Sequence, residues 1–231
     1  IEGFSGVTAH QADIGGIVPG SNSTGSTEIF QEGLRIPTLK LYERGVPNDT
    51  IFAMIEHAVR VPKTVLGDIR AQVAATIVGE REYRRLAARY GTETLRQYTN
   101  AILDYSEKMA RAEISDLPDG TYEFADYIDG DSIESGPVTI QVAVTVQGDR
   151  IKVDFAGSSP QVKAGINSVL TFTKSATYGA IRMVIDPAIP NSAGCYRPIE
   201  VSAPEGSVVN PRPPGAVGAR GGSRRGTGTR L

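Results

Sequence analysis

The chain has 231 residues, of which 40% are hydrophobic and 22% are charged, and its formal net charge at pH 7 is −2. This length can bury one large core or two modest ones, and the charge balance argues against a polycation that binds nucleic acid or a membrane surface. No apolar run approaches the roughly 20 residues that span a bilayer, and no signal peptide is recognisable. We therefore expect a cytoplasmic protein with neither a nucleic-acid nor a membrane partner.

Cys195 is the only cysteine of the chain, so no internal disulfide and no cysteine-based zinc knuckle can form. Any metal ion must be bound through nitrogen and oxygen. No histidine lies near Cys195 in the sequence, so we do not expect this thiol to be a nucleophile. The chain also lacks a Walker loop, a glycine fingerprint after a strand and a G-x-S-x-G elbow, which predicts that it does not bind ATP or a dinucleotide in a standard way.

Near the N-terminus, the stretch "AHQADIGG" places His10 and Asp13 three residues apart. The chain begins at Ile1 inside a predicted strand, so we expect further sequence before it. An imidazole and a carboxylate suit Zn, Mn or Fe, and at a turn the two side chains can converge on one ion. Two ligands do not complete a metal site, however, and a polar capped turn is the alternative. The glycine- and serine-rich loop at 15–27 is long for a simple connector, which favours a functional role for this region.

Two acidic residues, Glu28 and Glu32, follow in "TEIFQEG", where a short helical turn over 27–33 is predicted. On such a turn both carboxylates project in the same direction. They could complete a carboxylate-rich site or act as a general base. A solvated acidic surface is the alternative for the pair.

A first helix is predicted from the Pro-Asn-Asp run at 47–49 to a point before Pro62. His57 lies on it, away from the apolar stripe, and is expected to face solvent or a simple hydrogen-bond partner rather than a metal. A second helix ends at Gly91, and a third runs from Thr92 to the Pro-Asp-Gly turn at 118–120.

The second and third helices are predicted to be antiparallel, with a length of roughly 40 Å each. Each has apolar residues at helical spacing, which predicts a buried stripe. The stripes consist of Leu66, Ile69, Val73 and Ile77 on the second helix and of Leu95, Tyr98, Ile102, Tyr105 and Met109 on the third.

After Gly120 the hydrophobic period changes from 3.6 to 2. The segments "TYEFADYI", "VTIQVAVTVQ" and "RIKVDFAG" alternate apolar and polar residues, and "QGDR" is a tight turn between the last two. This pattern predicts an antiparallel sheet with a hairpin. A helix from about Thr171 to the break at 186–187 and a short strand in "RPIEVS" follow.

The predicted fold class is therefore α+β, with a long antiparallel helix pair and an antiparallel β-sheet, as part of a larger fold. The expected domain bounds are 1–118 for the site-bearing strand, loop and long helices, and 119–211 for the sheet with its helix. The segment 212–231, rich in arginine and glycine, is expected to be a flexible or non-native tail.

Eight segments together resemble the hydantoinase B/oxoprolinase family over residues 1–219. They are "AHQADIGGIVPGS", "TEIFQEGLRIPTLKLYERG", "GDIRAQVAA", "GERE", "YSEKMARAEISDLPDGTY", "IKVDFAGSSPQ", "IPNSAGCYRPI" and "NPRPPGAVGAR", in the family's order. The family includes B-type subunits of ATP-dependent hydantoinases and oxoprolinases and the large subunits of acetone and acetophenone carboxylases.

The resemblance implies that an A-type partner uses ATP to phosphorylate a small cyclic amide and that the B-type subunit completes ring opening, within a hetero-oligomer. It also implies a divalent metal (Zn, Mn or Fe) for which His10 is a ligand, together with an H-x-x-D pair that has no counterpart in this chain. Asp13 would ligate the metal or orient His10, and Glu28 or Glu32 would position water. Ketone carboxylation, or a non-catalytic scaffold that docks the A-type subunit, are the alternatives.

Overall fold

A computed structural model describes residues 13–19, 23–130, 133 and 136–219 of the chain. Within this part the fold is α+β, as predicted. The described residues form two compact units: one lies within Ile1–Asn22 and Phe30–Arg96, the other within Ser23–Ile29 and Gln97–Leu231. The three-segment division that the sequence predicts stays a prediction.

The first unit has a small hairpin and two helices. Strands β1 (Tyr42–Glu43) and β2 (Val46–Pro47) pair antiparallel and lead into helix α1 (Asp49–Ala58) and helix α2 (Pro62–Tyr90). The Asn48 side chain accepts a hydrogen bond from the Ile51 N–H at the start of α1, which satisfies one of the free donors of the first turn. The core of this unit consists of Phe52, Ile55, Val59, Val65 and Leu66.

The end of the second helix at Gly91 and the start of the third at Thr92 confirm the predicted bounds. Helix α2 begins with proline in its first turn and ends at Gly91, and helix α3 (Thr92–Ser115) begins at once after it. No helix in the described part of the chain has both the length and the apolar character that crossing a membrane requires.

The prediction that the apolar stripe of α3 is buried is wrong. Tyr98, Ile102 and Tyr105 are between 52% and 67% exposed, and on α2 Ile77 is exposed as well. The buried residues of α3 are Ser106, Ala110 and Ile114, on a different face. Two of these three residues, Ser106 and Ala110, have small side chains. A search for periodic large apolar residues does not detect them, although they allow close packing within the second unit.

The second unit is built on a four-stranded sheet in the order β3-β4-β5-β6. Its strands are β3 (Gly120–Ile128), β4 (Val138–Gln147), β5 (Arg150–Asp154) and β6 (Ile199–Ser202). The first three pair antiparallel, with Phe124 opposite Val142 and Val144 opposite Val153, and the predicted hairpin joins β4 to β5.

The prediction of a purely antiparallel sheet needs correction at β6, which pairs with β5 in the parallel direction, with Val153 opposite Val201. Parallel neighbours require a long crossover connection. Here the connection contains helix α4 (Leu170–Arg182). One face of the sheet forms the main core, with Val138, Ile140, Val146, Ile151, Val153, Ile199 and Val201 buried.

Residues 212–219, which belong to the predicted tail, pack within the second unit. Ala216 and Ala219 are buried. The Pro214 carbonyl accepts from the Ile29 N–H at 2.8 Å, and the Ala219 N–H donates to the Gly165 carbonyl at 2.7 Å. These contacts use backbone groups and small side chains, not the arginines on which the tail prediction rests. The rest of the predicted tail lies outside the described residues.

Candidate functional site

Asp13 opens a tight turn in the first unit, where a backbone N–H and a guanidinium anchor its carboxylate. Its Oδ1 accepts a hydrogen bond from the Gly15 N–H at 3.1 Å and lies 3.6 Å from Nη1 of Arg60. The second terminal nitrogen of Arg60 donates to the Gly16 carbonyl. One guanidinium therefore connects the Asp13 side chain to the backbone three residues later.

The same turn is attached to the segment that contains Glu32. The Ile17 N–H donates to the Gln31 carbonyl at 2.9 Å, and the Leu34 N–H donates to the Ile14 carbonyl at the same distance. Gly16 has φ +89, and a Cβ at this position would lie 2.6 Å from the Gln31 carbonyl oxygen. Only glycine allows both this backbone conformation and this close approach.

The two predicted acidic residues are placed differently. A 3-10 helix, Ile29–Gln31, stands where the helical turn is predicted and separates Glu28 from Glu32. Glu28 belongs to the second unit and Glu32 to the first, and both are partly buried. The structure brings the backbone of Glu32 against the Asp13 turn, since a Cβ on Gly16 would lie 2.7 Å from the Glu32 carbonyl carbon.

Of the two histidines of the chain, the structure describes only His57. His10 lies outside the described residues. His57 is exposed on α1, and its Nδ1 hydrogen-bonds to the Ala53 carbonyl at 2.9 Å, one helical turn earlier. This local contact agrees with the expectation that His57 has a simple hydrogen-bond partner.

A divalent metal is implied by the family resemblance, and the described residues do not supply a site for it. Among residues 13–19, 23–130, 133 and 136–219, no three His, Cys, Asp or Glu side chains lie together in a way that could hold a metal ion. The Asp13 carboxylate is instead engaged by an N–H and a guanidinium. We therefore assign no chemical step to a metal ion.

Arg60 is the residue of this site that sequence reasoning missed. It follows α1 in "HAVRVP" and reaches Gly16, which lies 44 positions earlier. No spacing rule connects residues so distant in the chain. The one feature of the sequence that points to Arg60 is its position as a charged residue between two apolar residues, Val59 and Val61.

Cys195 lies in a 3-10 helix, Ala193–Tyr196, and is fully buried. Burial raises the pKa of its thiol, and the nearby Arg182 guanidinium lowers the same pKa by a smaller amount. A buried thiol that resists ionisation is a poor nucleophile. The structure thus agrees with the expectation that Cys195 is not catalytic.

The fold of this chain occurs within larger enzymes of known structure. It matches the crystal structure of an ATP-dependent caprolactamase from Pseudomonas jessenii with a TM-score of 0.83 and 30% identity, over 93% of this chain and 39% of that chain. A nucleotide-free structure of acetone carboxylase gives the same TM-score at 18% identity, over 92% of this chain and 30% of that chain. The second match shows a shared fold alone.

The sequence comparisons narrow the class further. The chain is 37% identical to a putative B-type subunit of a D-/L-hydantoinase from Pseudomonas sp. (strain NS671), over 94% of this chain and 39% of that protein. A family model described as hydantoinase B/oxoprolinase matches residues 1–227, so the chain belongs to that family and the expected resemblance is confirmed. The chain spans 39% of the length of that hydantoinase subunit, 35% of the caprolactamase subunit beta from Pseudomonas jessenii and 17% of a 5-oxoprolinase from Saccharomyces cerevisiae.

Proposed function

We propose that this chain is the part of a B-type subunit that helps complete ring opening of a cyclic amide in an ATP-dependent hydrolase. The observation that carries this proposal is the 30% identity and TM-score of 0.83 with the caprolactamase over nearly the whole chain. Caprolactam and hydantoin both contain an amide within a ring, so two relatives with these names point to one class of substrate.

We propose further that ATP is used by an A-type partner rather than by this chain. The chain has no phosphate-binding glycine loop of the standard kinds in its sequence. Phosphorylation of the amide oxygen makes the amide carbon a better electrophile, so water can add to that carbon. The ring opens when the C–N bond of the resulting tetrahedral intermediate breaks and the nitrogen takes up a proton. Hydrolysis of the remaining acyl phosphate then gives the carboxylate and inorganic phosphate. A hetero-oligomer of the two subunits would carry out both steps.

Within this scheme the described residues have separate proposed roles. Asp13 orients the turn that follows His10, and Glu32 or Glu28 positions the attacking water and accepts its proton. The attachment of the Asp13 turn to the Gln31 carbonyl supports Glu32 over Glu28. His10 as a ligand of Zn, Mn or Fe remains a proposal about a residue outside the described part.

The test uses the chain in its longest naturally encoded form, purified with its A-type partner. Caprolactam, hydantoin and 5-oxoproline are each incubated with ATP, without bicarbonate, and the ring-opened product and ADP are quantified. Hydrolysis without bicarbonate is the expected result. If ATP use instead required bicarbonate and a ketone, the function would be carboxylation and the proposal would be wrong. If the complex formed tightly but converted neither cyclic amides nor ketones, this chain would be a non-catalytic scaffold for the A-type subunit.

The water-positioning role is tested with Glu32→Gln and Glu28→Gln in the same complex. Loss of one general base costs about 10²- to 10⁴-fold in turnover. We expect this loss for Glu32→Gln and a smaller change for Glu28→Gln. Equal, near-normal turnover of both variants would remove the two residues from the mechanism.

A further inference from the structure

We propose that Arg60 is a positioning residue of this site, whose guanidinium holds the turn after His10 in one conformation through Asp13 and Gly16. The inference rests on the proposed function for its catalytic readout, but its structural part does not. Asp13 then acts by holding the turn and not by binding a metal ion.

The geometry requires arginine. One terminal nitrogen of Arg60 faces the Asp13 carboxylate at 3.6 Å while the other donates to the Gly16 carbonyl. A planar guanidinium offers several donors in a fixed fork, so it can serve both acceptors at once. The single ammonium of a lysine can neutralise the carboxylate but cannot reproduce this fork.

The backbone that carries Arg60 is itself fixed against the turn. Arg60 lies two residues after the end of α1, next to the buried Val59 of the first core. Gly15 has φ +94 and approaches the Ala58 carbonyl so closely that a Cβ would lie 2.6 Å from its oxygen. The turn is thus held between the end of α1 and the segment at 31–34, and Arg60 closes it on the side of the Asp13 carboxylate.

The charges argue against Asp13 as a metal ligand. A metal ion that approached Oδ1 of Asp13 would meet the positive guanidinium 3.6 Å from the same oxygen. Two positive charges beside one carboxylate oxygen repel each other, and the N–H of Gly15 already uses this oxygen as an acceptor. The Asp13 carboxylate therefore holds the turn through its contacts with Gly15 and Arg60 rather than binding a metal ion.

The experiment compares Arg60→Ala, Arg60→Lys, Asp13→Asn and the double variant Arg60→Ala/Asp13→Asn in the complete complex. Arg197→Ala is the control, because its side chain has nearly the same exposure, 42% against 40%, and its removal also breaks ion pairs, with Asp104 and Glu107. Three quantities are measured: kcat and KM for ring opening, bound metal by elemental analysis, and hydrogen exchange at the amides of Ile17 and Leu34.

We expect Arg60→Ala and Asp13→Asn each to lower kcat at least tenfold with less than a threefold change in KM. The double variant should be no slower than the worse single variant, since both act through one contact. Arg60→Lys should recover part of kcat. Bound metal should be unchanged throughout, and exchange at Ile17 and Leu34 should be at least tenfold faster in Arg60→Ala but not in Arg197→Ala.

Two results would overturn the inference. Normal exchange at both amides in Arg60→Ala would show that the guanidinium does not hold the turn. Loss of metal in Asp13→Asn but not in Arg60→Ala would make Asp13 a ligand. If the wild-type complex opens no cyclic amide, the proposed function fails, while the exchange rates still decide whether Arg60 holds the turn.

Discussion

Gly194 packs against the backbone of Leu103 within the second unit, so closely that a Cβ on the glycine would overlap the Leu103 carbonyl group. The same Cβ would lie 2.8 Å from the Leu103 Cα. Gly194 belongs to the 3-10 helix Ala193–Tyr196, and Leu103 lies on α3. A single hydrogen atom as side chain is therefore what allows this helix to reach α3.

Gly194→Ala should lower the free energy of unfolding by about 3 kcal/mol or more, because overpacking against a fixed backbone cannot be relieved by a rotamer change. Gly179→Ala is the matched control: Gly179 is exposed in α4, and its Cβ would meet no atom within 4 Å. That variant should gain about 0.5–1 kcal/mol from helix propensity. Urea unfolding measures both, and equal effects of the two substitutions would contradict the close contact.

Asn167 is fully buried, and its amide is satisfied on both sides. The oxygen accepts from the Val162 N–H at 2.9 Å, and the nitrogen donates to the carbonyls of Val162, Ala164 and Ala216. This side chain connects the loop at 162–167 to the segment near Ala216. An aspartate of the same shape would have no donor for these three carbonyls at neutral pH.

Asn167→Asp should therefore cost about 3 kcal/mol of unfolding free energy at pH 7, since a buried charge would face three acceptors. Asn191→Asp is the control, because exposed Asn191 accepts from the Tyr196 hydroxyl at 2.8 Å, and a carboxylate still accepts. Its effect should stay within about 0.5 kcal/mol. A similar loss in both variants, in denaturant titrations, would show that the added charge and not the lost donor is responsible.

Features set by neighbouring residues could be predicted from the sequence, and those set by distant contacts could not. The start of α1 after Asn48 and the end of α2 at Gly91 depend on local hydrogen bonds and backbone angles, and both are confirmed; Pro62 follows the first helix as predicted and also begins α2. The buried face of α3 depends on Ser106 and Ala110, which periodicity does not weigh as apolar anchors. The direction of β6 depends on the crossover through α4, for which strand patterns carry no information.

The same distinction between local features and distant contacts applies to the candidate site. The turn at Asp13 is predicted from its glycines, and the structure shows why they are needed. Its partner Arg60 could not be predicted, because the contact between Asp13 and Arg60 joins two segments that lie far apart in the chain. A single sequence records residue types but not which of them meet.

Because two arginines form ion pairs with Glu107, the stability of the fold should vary with pH in the acidic range. Hydrogen bonds from Arg111 at 2.7 Å and from Arg197 at 3.0 Å lower the pKa of Glu107 below its ordinary value of 4.5. A carboxyl whose folded pKa is lowered stabilises the fold above the unfolded pKa, and this stabilisation is lost as the pH falls through the folded pKa. The melting temperature of Glu107→Gln should thus lie below that of the wild type at pH 6 and approach it towards pH 3.

Melting curves at closely spaced pH values test this prediction. Glu200→Gln removes an exposed carboxylate on β6 and corrects for the change in net charge. A difference between Glu107→Gln and the wild type that stays constant from pH 6 to pH 3 would be inconsistent with an ionised Glu107 as the cause.

The buried Cys195 should be inert in the native chain. Its thiol is inaccessible and its pKa is raised by burial, so both access and ionisation oppose alkylation. Iodoacetamide at pH 8 should modify the native chain at least about a hundredfold more slowly than the unfolded chain, because reaction requires local opening. Ser175→Cys places a second thiol on the exposed side of α4 as a control that should react at once, and mass spectrometry counts both. Rapid modification of Cys195 under native conditions would show that its environment opens freely.

A comparison of Gly16 with Gly45 separates two contributions to the free energy of unfolding, one from close packing at the Cβ position and one from the positive φ angle. Gly16 and Gly45 have similar positive φ values, +89 and +83, but only Gly16 of the two has backbone atoms near the position of a Cβ. Gly45→Ala should cost about 1–2 kcal/mol through the left-handed conformation alone. Gly16→Ala should cost this amount and about 1–3 kcal/mol more, because the new methyl group would push the turn away from the Gln31 carbonyl. Urea unfolding gives both free energies, and hydrogen exchange at the Ile17 amide reports whether the turn has moved. Equal costs for the two alanine variants, with normal exchange at Ile17, would mean that the turn can yield without leaving the segment that carries Glu32.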